Sequence, residues 1–175
     1  MEDRARILVV EPNRSYQGIL TRRLSAAGFR VAVADCAASA IAGLHRLPVD
    51  LVLAELNMKP SSGAELARLI RGEIQWHDLP IMLITGKSRP ADAVRAYEAG
   101  ADDVILKPFH FEVLIARIER RLARARSLGA LRQDNATLDA RIVERAIQVG
   151  ELKDRMTGIE AELRRLEVIA AKGAR

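Results

Sequence analysis

The chain of 175 residues is short of several residue types on which protein chemistry often depends. Its one cysteine, Cys36, excludes an internal disulfide framework and a zinc site built from cysteines. Its three histidines, His45, His77 and His110, are scattered and show no metal-ligand spacing. Aromatic residues make up only 3%, which leaves little for stacking on nucleic-acid bases. Apolar runs are only a few residues long, so no membrane-spanning segment is expected. Met1, Glu2, Asp3 and Arg4 are charged or lead directly into a strand-like run, so no signal peptide is expected and a cytoplasmic protein is. Proline is absent after Pro108, and the only glycines there are Gly129, Gly150, Gly158 and Gly173.

What remains is aliphatic and charged. Hydrophobic residues reach 49%, too many for a chain that is disordered by composition. The net charge of +5 divides as 19 basic and 15 acidic residues over 1–126, and 9 and 8 over 127–175. A proline-free stretch rich in Leu, Arg, Glu and Ala favours continuous helix. The reading is therefore a globular part, residues 1–126, and a helical part, residues 127–175.

The globular part alternates. Short apolar runs at 7–10, 31–34, 51–54, 81–84 and 104–106 read as strands. Between them lie helical spacings: Ile19, Leu20 and Leu24 closed by Gly28; Ala37, Ala40, Ile41 and Leu44 ending before Pro48; Leu66, Leu69 and Ile70; Ala93, Val94 and Tyr97 ending near Gly100. A fifth helix starts after Pro108. Most strand runs are continuously apolar, which suits a parallel sheet covered on both faces. Five such units predict an α/β, doubly wound, five-stranded parallel sheet. Such sheets place their sites at the C-terminal strand ends, here Glu11, Asp35, Glu55, Thr85 and Lys107.

Four segments carry a resemblance. They are Arg-Ile-Leu-Val-Val-Glu-Pro at 6–12, Asp-Leu-Val-Leu-Ala-Glu-Leu-Asn-Met-Lys-Pro-Ser-Ser-Gly at 50–63, Ile-Met-Leu-Ile-Thr-Gly at 81–86, and Ala-Gly-Ala-Asp-Asp-Val-Ile-Leu-Lys-Pro-Phe at 99–109. In order and spacing, over about residues 5–125, they resemble the receiver domain of bacterial two-component response regulators. The resemblance implies the flavodoxin-like strand order 2-1-3-4-5. It also implies transfer of a phosphoryl group from a histidine kinase to an aspartate. Carboxylates would hold a Mg²⁺, and a lysine and a hydroxyl would grip the phosphoryl oxygens.

Carried onto this chain, Glu11 takes the first acidic position and Pro12 the second. Glu55 stands at the phospho-acceptor position. Glu11, Glu55 and the backbone carbonyl of Asn57 are the implied metal ligands, and Thr85 and Lys107 complete the pocket. Val104 occupies the place of the family's reporter Tyr or Phe, and Lys59 that of its proline after Met58. Glu55 is a methylene longer than Asp, and misplacement on that scale can cost about 100-fold in a position-dependent reaction. Pro12 removes a metal-compensating charge. These departures predict a degenerate pseudo-receiver without catalytic turnover, carrying no cofactor beyond a weak Mg²⁺ at most. Glu55 then either reaches Lys107 and Thr85 in imitation of a phosphoaspartate, or is inert and merely paired with Lys107.

The helical part has a heptad. Positions 128, 135, 142, 149, 156, 163 and 170 and positions 131, 138, 145, 152, 159 and 166 hold eleven apolar residues in thirteen places. Leu131, Asn135, Leu138, Ile142, Val149, Leu152, Met156, Ile159, Leu163 and Leu166 are the expected dimerisation seam. This repeat is the mark of a left-handed coiled coil, in which one buried Asn sets register. Arg145 is a poor seam residue, and Gly150 and Gly158 lie on outer positions. Flanking charges are mixed: Arg155 with Glu160 attracts, whereas Asp134 with Asp139 and Glu162 with Glu167 repel. The coiled coil is expected to span ~65 Å.

The stripe Phe111, Leu114, Ile115, Ile118 and Leu122 predicts that the fifth helix packs on the sheet and continues into the coiled coil. Residues 91–100 and 109–126 form the expected protein-binding face. Arg117, Arg120, Arg121, Arg124 and Arg126 crowd this helix, a cluster suited to an anionic partner. No helix-turn-helix follows, so nucleic acid is not an expected partner, and neither is a membrane. The resulting expectation is a phosphorylation-independent, homodimeric signalling adaptor. The alternatives are a phosphorylatable receiver and the regulatory part of a cyclic-dinucleotide or RNA-binding output protein. For the last, residues 142–146 faintly resemble the start of an ANTAR module.

Overall fold

A computed structural model describes residues 4–86 and 89–173, with side chains as far as Leu166. Met1, Glu2 and Asp3 lie outside the described residues, and heptad position Ala170 and flanking Glu167 lie outside the described side chains. The elements are β1 (Arg6–Val10), α1 (Arg14–Ala26), β2 (Arg30–Ala34), α2 (Ala37–Arg46), β3 (Leu51–Glu55), α3 (Gly63–Gly72), a 3-10 turn (Ile74–Trp76), β4 (Ile81–Thr85), α4 (Pro90–Glu98), β5 (Asp103–Leu106) and α5 (Phe111–Gly173). The chain divides into two compact units, Met1–Ser127 and Leu128–Arg175.

In the first unit the five strands lie in the order β2-β1-β3-β4-β5. All pairs are parallel, with Val9 opposite both Val33 and Leu53. Successive strand residues point to opposite faces, and both faces are covered. Leu8, Val10, Val52, Ala54, Ile81 and Leu83 pack with Leu44, Leu66, Ile70 and Ala96 from α2, α3 and α4. Ile7, Val9, Leu51, Leu53, Met82 and Ile84 pack on the other side with Leu20 and Leu24 of α1 and Leu114, Ile118 and Leu122 of α5. Apart from Arg6 at the start of β1, Glu55 at the end of β3 and Thr85 at the end of β4, the central strands are thus apolar for the reason parallel sheets usually are.

The edges differ from that pattern. Val33 on β2 and Leu106 on β5 are exposed, because each edge strand has a neighbour on one side alone. Ile19, Leu69, Val94 and Tyr97 have helical spacing but face solvent. Each helix lays one narrow stripe on the sheet, and Leu20, Leu66, Ile70 and Ala96 occupy it. The turn Ile74–Trp76 is too short to show any period.

Local chemistry sets the helix starts. Asn13 Oδ1 accepts from Tyr16 N at 3.0 Å and opens α1 directly behind the end of β1. Ser62 and Glu65 form a reciprocal capping box at α3. Gly63 lies there because a Cβ would sit 2.5 Å from the carbonyl oxygen of Glu55. Gly100 (φ +95°) ends the α4 segment in the left-handed region. Arg71 staples this end of the sheet, donating to the carbonyls of Gly100 (3.0 Å) and Leu79 (2.7 Å) and to Asp102 Oδ2 (2.8 Å).

In the second unit, the described side chains of α5 are exposed throughout, including every apolar residue of the heptad seam to Leu166. Val143 and Ile147, off the seam, are exposed as well. The helical assignment of α5 covers 63 residues, Phe111–Gly173. No described helix is long and apolar enough to cross a membrane.

Candidate functional site

The site forms at the C-terminal ends of β1, β3, β4 and β5, where the strands stop and their next residues fan outward. Glu11 follows β1, Glu55 and Thr85 end β3 and β4, and Lys107 follows β5. Parallel register brings Glu55 beside Ile84 and Thr85 beside Leu106. Lys107 N donates to the Thr85 carbonyl at 2.8 Å, fixing the base of the lysine side chain.

The Lys107 ammonium is the centre of the arrangement. Its Nζ donates to Glu55 Oε2 at 2.7 Å and lies 3.4 Å from Glu11 Oε2. The other oxygen of each carboxylate is also engaged. Asn57 N donates to Glu55 Oε1 at 3.0 Å, and Asn13 N donates to Glu11 Oε1 at 3.0 Å. Nζ also lies 4.0 Å from the centroid of the Tyr16 ring, within cation–π range. The Glu11 and Glu55 side chains are only 6% and 11% exposed, against 26% for Lys107.

Burial works against the charge on Lys107. The hydrogen bond and charge of Glu55, with the charge of Glu11 and the Tyr16 contact, outweigh it and hold the ammonium above its ordinary value of 10.5. Burial raises the Tyr16 hydroxyl above 10.0; the Lys107 charge opposes this, and Glu11 and Glu55 assist it. At the edge of the site, hydrogen bonds from Ser39 and Cys36 hold the exposed Asp35 carboxylate below its ordinary value.

Thr85 is held separately. Its Oγ1 accepts from Asn57 Nδ2 at 3.1 Å. Val104 is half-buried against the core cluster that contains Leu83 and Ala96. Lys59–Pro60 and Lys107–Pro108 are cis peptide bonds. The structure therefore brings Glu11, Glu55, Asn57, Thr85 and Lys107 together. Sequence reasoning missed Asn13, Tyr16 and Gln17. Gln17 Nε2 donates to the carbonyls of Glu11 (3.1 Å) and Ala34 (2.9 Å), tying α1 to two strand ends. The available signal was positional: a capping Asn and a rare aromatic in the first turn after an acidic strand end.

A protein-family model described as the response regulator receiver domain matches residues 7–119. The chain belongs to the response regulator receiver family. The DNA-binding response regulator MtrA of Mycobacterium leprae (strain TN) is 37% identical over 121 residues, covering 69% of this receiver's chain and 52% of that protein. A probable cyclic di-GMP phosphodiesterase of Vibrio cholerae serotype O1 is 29% identical over 156 residues, covering 88% of this chain and 35% of that one. Among solved structures, the signal receiver domain of a histidine kinase from Syntrophus aciditrophicus matches with a TM-score of 0.64 at 30% identity, covering 68% of this chain and 90% of that one. This receiver chain spans about half the length, 52%, of the first curated relatives it matches.

The family implies a Mg²⁺ in this pocket, and the side chains present do not fit one. Among the described residues, no group of three or more His, Cys, Asp or Glu side chains could hold a metal ion. Pro12 offers no carboxylate. Both oxygens of Glu11 and of Glu55 face N–H donors, and an ammonium sits between the two carboxylates. A divalent cation would need that same space and those same oxygens.

Proposed function

We propose that this receiver acts without phosphorylation, as a homodimeric signalling adaptor in a bacterial two-component pathway. The observation that carries the reading is the Lys107 ammonium held between Glu55 and Glu11. A phospho-acceptor carboxylate must be free to attack and must have its new charge neutralised. Here each oxygen of the carboxylate already accepts a hydrogen bond, Oε1 from Asn57 N and Oε2 from Lys107, and the neutralising metal site lacks its second acid. Glu55 reaches the lysine as a phosphoryl group would, so the pocket is held in one state. Thr85, pinned by Asn57, cannot follow a phosphoryl group without breaking that hydrogen bond.

The rest of the proposal follows from surfaces. Residues 1–126 are the receiver part and residues 127–175 the dimer stalk. Leu131, Leu138, Ile142, Val149, Leu152, Met156, Ile159, Leu163 and Leu166 are all exposed in the single chain. Burying such a heptad against a second copy is the ordinary way to remove it from water. Asn135 would set register, and Arg145 would mark the weakest layer. The α4 and α5 face would contact other signalling proteins. We assign no turnover to this chain and place its action in the cytoplasm.

A second reading has one specific support. The match to the Vibrio phosphodiesterase covers 156 residues and runs past the receiver. Receiver and helix could thus be the regulatory part that precedes an output domain in a longer protein.

The test is light scattering of the full chain before and after incubation with acetyl phosphate and Mg²⁺. A dimer under both conditions is expected. A monomer under both, or a mass that changes with the phosphodonor, refutes the proposal.

A further inference from the structure

Asp103 begins β5, at the opposite end of that strand from Lys107. Its carboxylate is nearly buried, and its Oδ1 accepts from Val104 N at 2.9 Å. Its Oδ2 lies 3.7 Å from Arg117 Nε and 3.8 Å from Arg121 Nη2. These are charge-pairing distances, longer than those of a bidentate hydrogen-bonded fork. Arg117 Nη1 also donates to the Val104 carbonyl at 3.4 Å. One carboxylate and one carbonyl thus steady two guanidiniums without saturating their donors.

Arg120 and Arg124 lie on the same face of α5, since 117, 120, 121 and 124 follow i, i+3, i+4, i+7 spacing. Among the described residues neither makes an ion pair. The four arginines and Asp103 line a cavity of about 290 Å³. Like charges at these spacings destabilise a helix, and a single carboxylate offsets a quarter of the charge. The lining therefore carries a formal charge of about +3, which favours an anion.

We infer that this cavity binds a compact phosphate-bearing anion, a di- or triphosphate group, through Arg117, Arg120, Arg121 and Arg124. Guanidinium forks match phosphate oxygens in geometry as well as charge. The volume suits a small ligand, at the low end of pockets that run from about 300 Å³ upward. Among the described residues no aromatic or aliphatic side chain lines the cavity, so none there stacks on a base or takes an acyl chain. Recognition falls on the phosphates, whether they come from an inorganic polyphosphate or from the tail of a nucleotide. The inference does not depend on the state of the Glu55 pocket.

Calorimetric titration of the full chain at constant ionic strength tests it, with inorganic tripolyphosphate and ATP as separate probes and no added metal. One saturable site for tripolyphosphate is expected. Arg120→Gln with Arg124→Gln should weaken it about tenfold or more, the loss of at least about 1.4 kcal/mol of charge-assisted binding. Arg22→Gln with Arg46→Gln removes the same charge elsewhere and should change it less than about twofold. Should the first variant fold poorly, Arg120→Lys with Arg124→Lys keeps the charge and removes the forks, and an intermediate loss is expected. Equal affinity for the two probes assigns the site to phosphates alone, and tighter ATP assigns it to a nucleotide; either supports the inference. No saturable binding overturns it. So does equal loss in the two Gln variants, or binding by an oligonucleotide or acidic peptide where tripolyphosphate fails.

Discussion

Replacing Lys107 with Met removes a cation shared by two nearly buried carboxylates while keeping a side chain of similar length. The direct loss is a 2.7 Å charge-assisted hydrogen bond to Glu55, about 1.5–3 kcal/mol for a bond of that kind. A fully buried pair would cost about 3–5 kcal/mol when one partner is removed. The 26% exposure of Lys107 lets water reach the stranded carboxylates and reduces this. The expected cost is therefore about 2–3 kcal/mol, or a Tm lower by about 6–12 °C for a unit of this size. Trp76, partly buried against one core cluster, reports unfolding of the first unit in a urea titration. Adding Glu55→Gln to Lys107→Met should recover part of the loss, because one uncompensated charge is gone. A coupling of about 1.5 kcal/mol or more between the two sites is expected in the double-mutant cycle. A Lys107→Met protein within about 0.5 kcal/mol of wild type, or sites that are additive, would refute the idea that the ammonium holds the pocket together.

Gly63→Ala should destabilise the first unit by about 1–3 kcal/mol in the same titration, because the new methyl meets the rigid carbonyl of Glu55 rather than a mobile side chain. Lys107 and Tyr16 both hold their protons more tightly in the folded chain, so the native state binds more protons than the unfolded one at high pH. Their contribution is full below about pH 10 and is lost as pH rises above 10.5, where urea midpoints should fall more in wild type than in Lys107→Met. Leu138→Lys with Leu152→Lys puts two charges into the proposed seam and should give a monomer by light scattering, with the Trp76 unfolding midpoint unchanged.

The fold was largely readable from the residues. The five apolar runs at 7–10, 31–34, 51–54, 81–84 and 104–106 each became a strand, because a parallel sheet covered on both faces demands that composition. Buried helix faces were less legible. Leu69 and Tyr97 share the spacing of their helices with Ile70 and Ala96 but lie just off the covered stripe, and spacing alone does not tell which of two adjacent apolar residues turns inward. At the site, Glu11, Glu55, Thr85 and Lys107 could be placed because strand ends are fixed by topology. Tyr16 and Gln17 could not, since their role depends on how α1 leans across the end of β1, which three-dimensional packing decides. The side chain of Asn57 turns to Thr85, a contact across 28 positions that no local pattern encodes. The Arg117 to Arg124 cluster was visible as charge, but its anchoring on Asp103 needed the register of β5 against α5.

The proposed phosphorylation-independent action requires that Glu55, held by Lys107, accept no phosphoryl group. Intact mass spectrometry of the full chain after incubation with acetyl phosphate and excess Mg²⁺ measures this. An unchanged mass is expected for wild type. A stoichiometric gain of one phosphoryl group that disappears in Glu55→Gln would contradict it.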